Sequence, residues 1–162
     1  NGYIGLKSET GAGTTFTLYF PVTRKELMEN EADLELDRYM GNGETVLVVD
    51  DVQEQREIAA DMLTRIGYSV SKVPSGEKAV EYLKNHPVDI VVLDMIMAPG
   101  IDGFETYKRI LELRPGQKAI VASGFSETRR VREVQQLGAG AYVKKPYLLK
   151  NIEPAIRRVL DG

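Results

Sequence analysis

Four short apolar runs in this chain end on residues that can do chemistry. Val46-Leu47-Val48-Val49 leads into Asp50 and Asp51, and Val91-Val92-Leu93 stops on Asp94. Ala119 to Ala122 ends at Ser123, and Ala141-Tyr142-Val143 is followed by Lys145 before Pro146. Each has an ordinary explanation when taken singly. A strand-end Asp is commonly a helix N-cap, and Asp51 with Glu54 fits a capping box. A strand-end Ser suits a turn, and a Lys before Pro suits a solvated surface. Together they are three carboxylates, one hydroxyl and one ammonium. Clustered carboxylates raise one another's pKa, and a divalent cation relieves the repulsion. Oxygen ligands without His or Cys suit Mg2+, which retains waters and accepts phosphate oxygens. A carboxylate beside such an ion can attack phosphorus and form an aspartyl-phosphate. The ion, a Lys and a hydroxyl would then steady the phosphoryl oxygens.

That chemistry needs the runs to be parallel strands whose ends meet. From Glu44 to Gly162 short apolar runs alternate five times with helical patterns. The expected helical faces are Ile58, Ala59, Met62, Leu63 and Ile66; then Ala79, Val80 and Leu83. They continue with Phe104, Tyr107, Ile110 and Leu111; Val131, Val134 and Leu137; and Ile152, Ala155, Ile156 and Val159. Strands apolar on both sides, joined by helical crossovers, predict an α/β, doubly wound, five-stranded parallel sheet covered on both faces. The C-terminal ends of its strands share one edge, where open sheets of this kind bind ligands.

The rest of the chain bounds the reading. It has 162 residues, 43% of them apolar, a net charge of −3 and no Cys. A sizeable core is expected. Nucleic acid is not, since it needs a basic face. Thiolate metal sites are ruled out, and a cytoplasmic location is expected. No apolar run approaches the ~18 residues of a membrane span, so no membrane contact is expected. The chain starts at Asn1, which suggests a segment of something longer. Residues 1–22 read as a β-hairpin with Phe16, Leu18 and Phe20 on one face and a Gly-containing turn from Ser8 to Thr14. Residues 23–43 hold six acidic and three basic positions in an amphipathic pattern, an acidic linker helix closed by Gly41-Asn42-Gly43.

The strand-end pattern carries a resemblance. Asp50-Asp51 after VLVV, Asp94 after VVL, Pro99 with Asp102-Gly103, Ser123-Gly124 and GAGAYVKKPY from Gly138 to Tyr147 make residues 44–162 resemble a response-regulator receiver domain of two-component signalling. The resemblance implies the flavodoxin-like strand order 2-1-3-4-5. It implies Asp94 as the phosphoacceptor, with Asp51 binding Mg2+ directly and Asp50 through water. The backbone carbonyl of Ile96 would be a further ligand. Lys145 and Ser123 would hold the phosphoryl group, and Tyr142 would occupy the place of the aromatic switch. The implied partner is a histidine-phosphorylated kinase or phosphotransfer domain. Two features depart from the pattern. The run from Asp94 to Asp102-Gly103 has one residue more than receivers commonly have, around Ala98. Phe125, two past Ser123, places a bulky group where attacking water would pass. His86, in Asn85-His86-Pro87, reads as a loop residue rather than a phosphotransfer histidine.

NGYIGLKSETGAGTTFTLYFPV resembles the end of a histidine-kinase ATP-binding domain, with Gly11-Ala12-Gly13-Thr14 ahead of the last strand. The order kinase tail, helix, receiver is that of a hybrid sensor histidine kinase. The segment itself would accept phosphate without kinase activity. Its hairpin would pack on the receiver or on a second copy, giving a homodimer through hairpin and linker helix. Two other classes stay open at this point. An aspartate-nucleophile phosphatase would use an Asp-X-Asp pair, which Asp94-Met95-Ile96 lacks. An interaction module independent of phosphorylation would not need all five site residues.

Overall fold

The computed structural model describes residues 2–22, 40–124 and 129–162. The expected linker helix lies mostly outside the described residues, as does Phe125. The chain divides into two compact units, residues 1–32 and 33–162.

In the smaller unit β1 (Tyr3–Glu9) and β2 (Gly13–Tyr19) form an antiparallel hairpin. Gly11 and Gly13 have φ of +82° and +97°, which the tight turn requires and a side chain would resist. Ile4 lies opposite Leu18, and Leu6 opposite Phe16. Alternation places all four on one face, and each is more than half exposed.

The larger unit contains β3 (Thr45–Val49), α1 (Gln53–Arg65), β4 (Ser69–Val73), α2 (Gly76–Asn85), β5 (Ile90–Asp94), α3 (Gly103–Leu113), β6 (Ala119–Ser123), α4 (Arg129–Gln136), β7 (Ala141–Lys144) and α5 (Leu149–Asp161). The strand order is β4-β3-β5-β6-β7, and every pairing is parallel. Counted within the sheet this is 2-1-3-4-5, as expected. The strands are apolar at consecutive positions because both faces are covered. Leu47, Val49, Val91, Leu93, Ala119 and Val121 pack under α2, α3 and α4. Val46, Val48, Ile90, Val92, Ile120 and Ala122 pack under α1 and α5. At about 1.5–3 kcal/mol per buried aliphatic side chain, this two-sided burial dominates the stabilisation.

Three local expectations fail for physical reasons. Ile58 is 53% exposed, because the buried stripe of α1 is Ala59, Ala60 and Leu63. Leu137 follows the last turn of α4 and stays partly exposed, where Gly138 turns the chain at φ +112°. The capping box at Asp51 is not formed. Val52 is the N-cap of α1 without a side-chain cap bond, and its N–H donates back to Asp50 Oδ1 at 3.0 Å.

The chain enters this unit through a close contact. Gly41 N–H donates to the Ile66 carbonyl at 2.6 Å, and a Cβ on Gly41 would fall 2.9 Å from the Tyr68 ring. Glu44 then pairs with Arg157 of α5 at 2.5 Å.

Candidate functional site

The apolar drive that buries each strand also fixes where it ends. Asp50 follows the last residue of β3, Asp94 ends β5, Ser123 ends β6, and Lys145 follows β7. Parallel pairing puts all four at one edge, with Asp94 beside Ala122 and Ser123 beside Lys144 in register. Gly103 lets α3 start close against this edge, since a Cβ there would sit 2.4 Å from the Asp94 carbonyl oxygen.

The carboxylates of Asp50, Asp51 and Asp94 converge, each offering an oxygen within 4.8 Å of the others. Among the described residues this is the acidic group whose geometry could hold a metal ion. Lys145 Nζ bridges two of them, 2.6 Å from Asp50 Oδ2 and 2.7 Å from Asp94 Oδ2. These are buried charges: Asp50 is 0% and Asp94 4% exposed, and the Lys145 side chain 7%. With all three acids ionised, one ammonium leaves a surplus of two negative charges. Burial pushes the Asp94 carboxyl above the usual Asp range, while the Lys145 hydrogen bond and charge pull it back.

Backbone donors orient the acids. Asp94 Oδ1 accepts from the N–H of Ile96 at 3.2 Å, and Asp51 Oδ2 accepts from that of Ala98 at 3.1 Å. The Ile96 side chain is exposed beside the cluster. Ser123 is buried, and its carbonyl accepts from the Lys145 N–H at 2.9 Å. Tyr142 pairs with Val121 and is half-buried on the face covered by α2, α3 and α4. His86 caps α2 as a surface residue; its Nδ1–H donates to the Tyr82 carbonyl at 3.1 Å and its ring stacks on Tyr82.

Three supporting residues have no signal in the spacing. The Tyr147 hydroxyl donates to Asp50 Oδ2 at 3.3 Å, and burial, then the charges of Asp50 and Asp94, push this phenol far up, so it keeps its proton. Arg56 Nη1 donates to the carbonyl of Asp50 at 2.5 Å, fastening the β3–α1 turn. Asp102 caps α3 through the Glu105 N–H at 2.9 Å and pairs with Arg130 at 2.7 Å. Tyr147 and Asp102 fall inside segments that the sequence pattern marks, whereas Arg56 does not.

Comparison with known proteins agrees with this geometry. Residues 46–157 match the response regulator receiver domain family. The chain is 32% identical over 179 aligned positions to the autoinducer 1 sensor kinase/phosphatase LuxN of Vibrio harveyi, across 99% of this chain and 20% of that protein. It therefore spans about a fifth of that relative's length. It is 33% identical to the chemotaxis protein CheY of Thermotoga maritima, over 72% of this chain and 98% of that one. A crystal structure of the CheX–CheY–BeF3–Mg2+ complex from Borrelia burgdorferi contains a chain that superposes with a TM-score of 0.69 at 26% identity, over 75% of this chain and 96% of that one. No helix among the described residues is long and apolar enough to cross a membrane. With its sheet order, its strand-end cluster and these relatives in agreement, the chain belongs to the response regulator receiver domain family.

Proposed function

We propose that Asp94 accepts a phosphoryl group from a phosphohistidine in a two-component phosphorelay, with Mg2+ held by the acidic cluster. The observation that carries this reading is the convergence of three carboxylates within 4.8 Å, two of them bridged by a buried Lys. The donor set fits the ion: it is all oxygen, carries surplus negative charge and has one half-buried member, Asp51, open to solvent. Asp51 and Asp94 would hold Mg2+ directly, Asp50 through water, and the Ile96 carbonyl would complete the protein ligands. Bound there, the ion would neutralise charge on the transferring phosphoryl oxygens.

The chain's own residues do the rest. An Asp94 carboxylate oxygen attacks phosphorus as the P–N bond to the histidine breaks, and the leaving imidazole nitrogen takes a proton from solvent. Lys145 moves its attention from the two carboxylates to a phosphoryl oxygen, and the Ser123 hydroxyl donates to another. Asp50 keeps the Tyr147 hydroxyl and the Val52 N–H as partners when Lys145 shifts. Tyr142, one strand away from Ser123 and half-buried, would repack as the aromatic switch.

The wider setting is read the same way. Residues 1–22 would be the end of a kinase ATP-binding domain, 23–43 a linker helix and 44–162 the receiver of a hybrid sensor histidine kinase in the cytoplasm. The similarity to LuxN across 99% of this chain supports that order. The exposed apolar face of the hairpin supports packing against a further part of the parent or a second copy. The deciding experiment is intact mass after incubation with acetyl phosphate and Mg2+. One labile phosphoryl group on the wild type and none on Asp94→Asn supports the reading. No gain on the wild type, or turnover of a small phosphoester without a stable adduct, overturns it.

A further inference from the structure

The β5–α3 loop, where the extra residue near Ala98 falls, is held at two points by carboxylates from other elements. Asp51 Oδ2 takes the Ala98 N–H at 3.1 Å, and Glu77 Oε1, in the first turn of α2, takes the Ile101 N–H at 2.9 Å. Between them Gly100 has φ +122°, and a Cβ on it would lie 2.7 Å from Glu77 Oε1. The loop thus lies tight against the Glu77 carboxylate where the chain adopts a conformation that favours glycine. Ile101 also packs near Gly76, where a Cβ would meet its Cγ1 at 2.7 Å. Ser75 caps this helix and sets where Glu77 stands. Nothing in the metal chemistry calls for Glu77, yet it fixes the loop that aims a backbone donor at a metal-cluster carboxylate.

We propose that Glu77 is a positioning residue for the acidic cluster, acting through the loop. By holding Ile101 it keeps the Ala98 N–H on Asp51 Oδ2, which would leave the other Asp51 oxygen for the cation. Hydrogen bonds to ligating carboxylates orient them and tune affinity. Loop order and cation occupancy are then linked in both directions, because a bond that favours one must be favoured by the other. The loop also carries Ile96 and leads into Asp102, the cap of α3, so occupancy is felt at the start of that helix.

This inference rests on the cation-binding reading above, and the test separates the two. Mg2+ affinity is measured calorimetrically for wild type, Glu77→Ala, Glu77→Gln and Asp51→Asn, alongside amide hydrogen exchange at Ala98 and Ile101. Wild type should bind Mg2+ and show slower exchange at Ala98 and Ile101 when it does. Glu77→Ala should weaken Mg2+ by up to about tenfold, the low end for loss of a group outside the ligand shell. Exchange at both amides should quicken while the helical circular dichroism stays unchanged. Glu77→Gln retains an acceptor oxygen and should stay within about twofold of wild type, which a merely charge-based effect would not allow. Equal Mg2+ affinity in Glu77→Ala and wild type overturns the positioning role alone. Absence of Mg2+ binding by the wild type overturns both this role and the cation reading.

Discussion

At the end of the sheet where the strands begin, charged side chains are met by local partners. Glu44 takes Arg157 at 2.5 Å, and Asp89 takes both the N–H and the hydroxyl of Thr45 at 2.7 Å. Lys118 and Arg114 donate to the carbonyls of Leu160 and Leu83, each at 2.7 Å. At the end where the strands finish, three carboxylates converge and one ammonium bridges two of them. Both ends are polar, as the termini of buried strands must be. The difference is balance. Local pairing closes one edge off, whereas a surplus of negative charge on the other is what the proposed cation and phosphoryl group would answer. Polar residues at strand ends are therefore weak pointers to function; unbalanced ones are strong.

The contrast can be attacked experimentally, beginning where the effect is greatest. Asp94→Asn should abolish phosphoryl uptake in the mass measurement, whereas Asp89→Asn, at the balanced end, should leave it intact. Lys145→Ala comes next. It strands two buried carboxylates and should cost about 3–5 kcal/mol in urea unfolding without Mg2+. Adding Mg2+ should restore part of that, since a ligand bound only by the folded state stabilises it. A cost below about 1 kcal/mol would mean the cluster tolerates its own charge. Arg157→Ala, in a partly exposed pair that also lies over the Tyr68 ring at 5.4 Å, should cost only about 1 kcal/mol and not respond to Mg2+.

The smallest effect is in pH dependence, and the two ends should have opposite signs. Burial raises the Asp94 carboxyl, so its contribution is most favourable in acid and declines as pH rises through its folded value. Burial also works against the Glu44 carboxylate, but hydrogen bonds from Arg157 and the Asn42 N–H outweigh it and hold the group low. Its contribution is present near neutrality and lost as pH falls through its folded value. Urea midpoints across pH should thus flatten on the rising side in Asp94→Asn and on the acid side in Glu44→Gln. Matching slopes in both variants would erase the distinction.

The site edge is readable in the chain because hydrophobic burial does the placing. Asp50, Asp94, Ser123 and Lys145 each follow a short apolar run, and a parallel sheet has no choice but to bring those ends together. Helix faces read less well. Ile58 fits the i, i+4 series with Met62 and Ile66, but α1 buries Ala59, Ala60 and Leu63 and leaves Ile58 exposed. Alanine permits close approach, and the periodicity of large residues does not register Ala60. Residues that steady the site are harder still. Glu77 acts on Ile101, 24 positions away, and no spacing rule joins them. Arg56 reaches a backbone carbonyl, which any side chain of its length and charge could address. Tyr147 lies in the marked segment, but its hydroxyl gains meaning only when Asp50 is placed beside it.

The pairing of Glu44 with Arg157 joins the entry of the larger unit to its last helix. Because β3 starts at this end and α5 returns to it, Glu44 and Asp161 both lie on the side opposite the carboxylates. Such a unit is portable. Segments joined at either of these points would not have to pass the carboxylate edge. A graft that kept Gly41, where a side chain would strike Tyr68, would keep the seam intact.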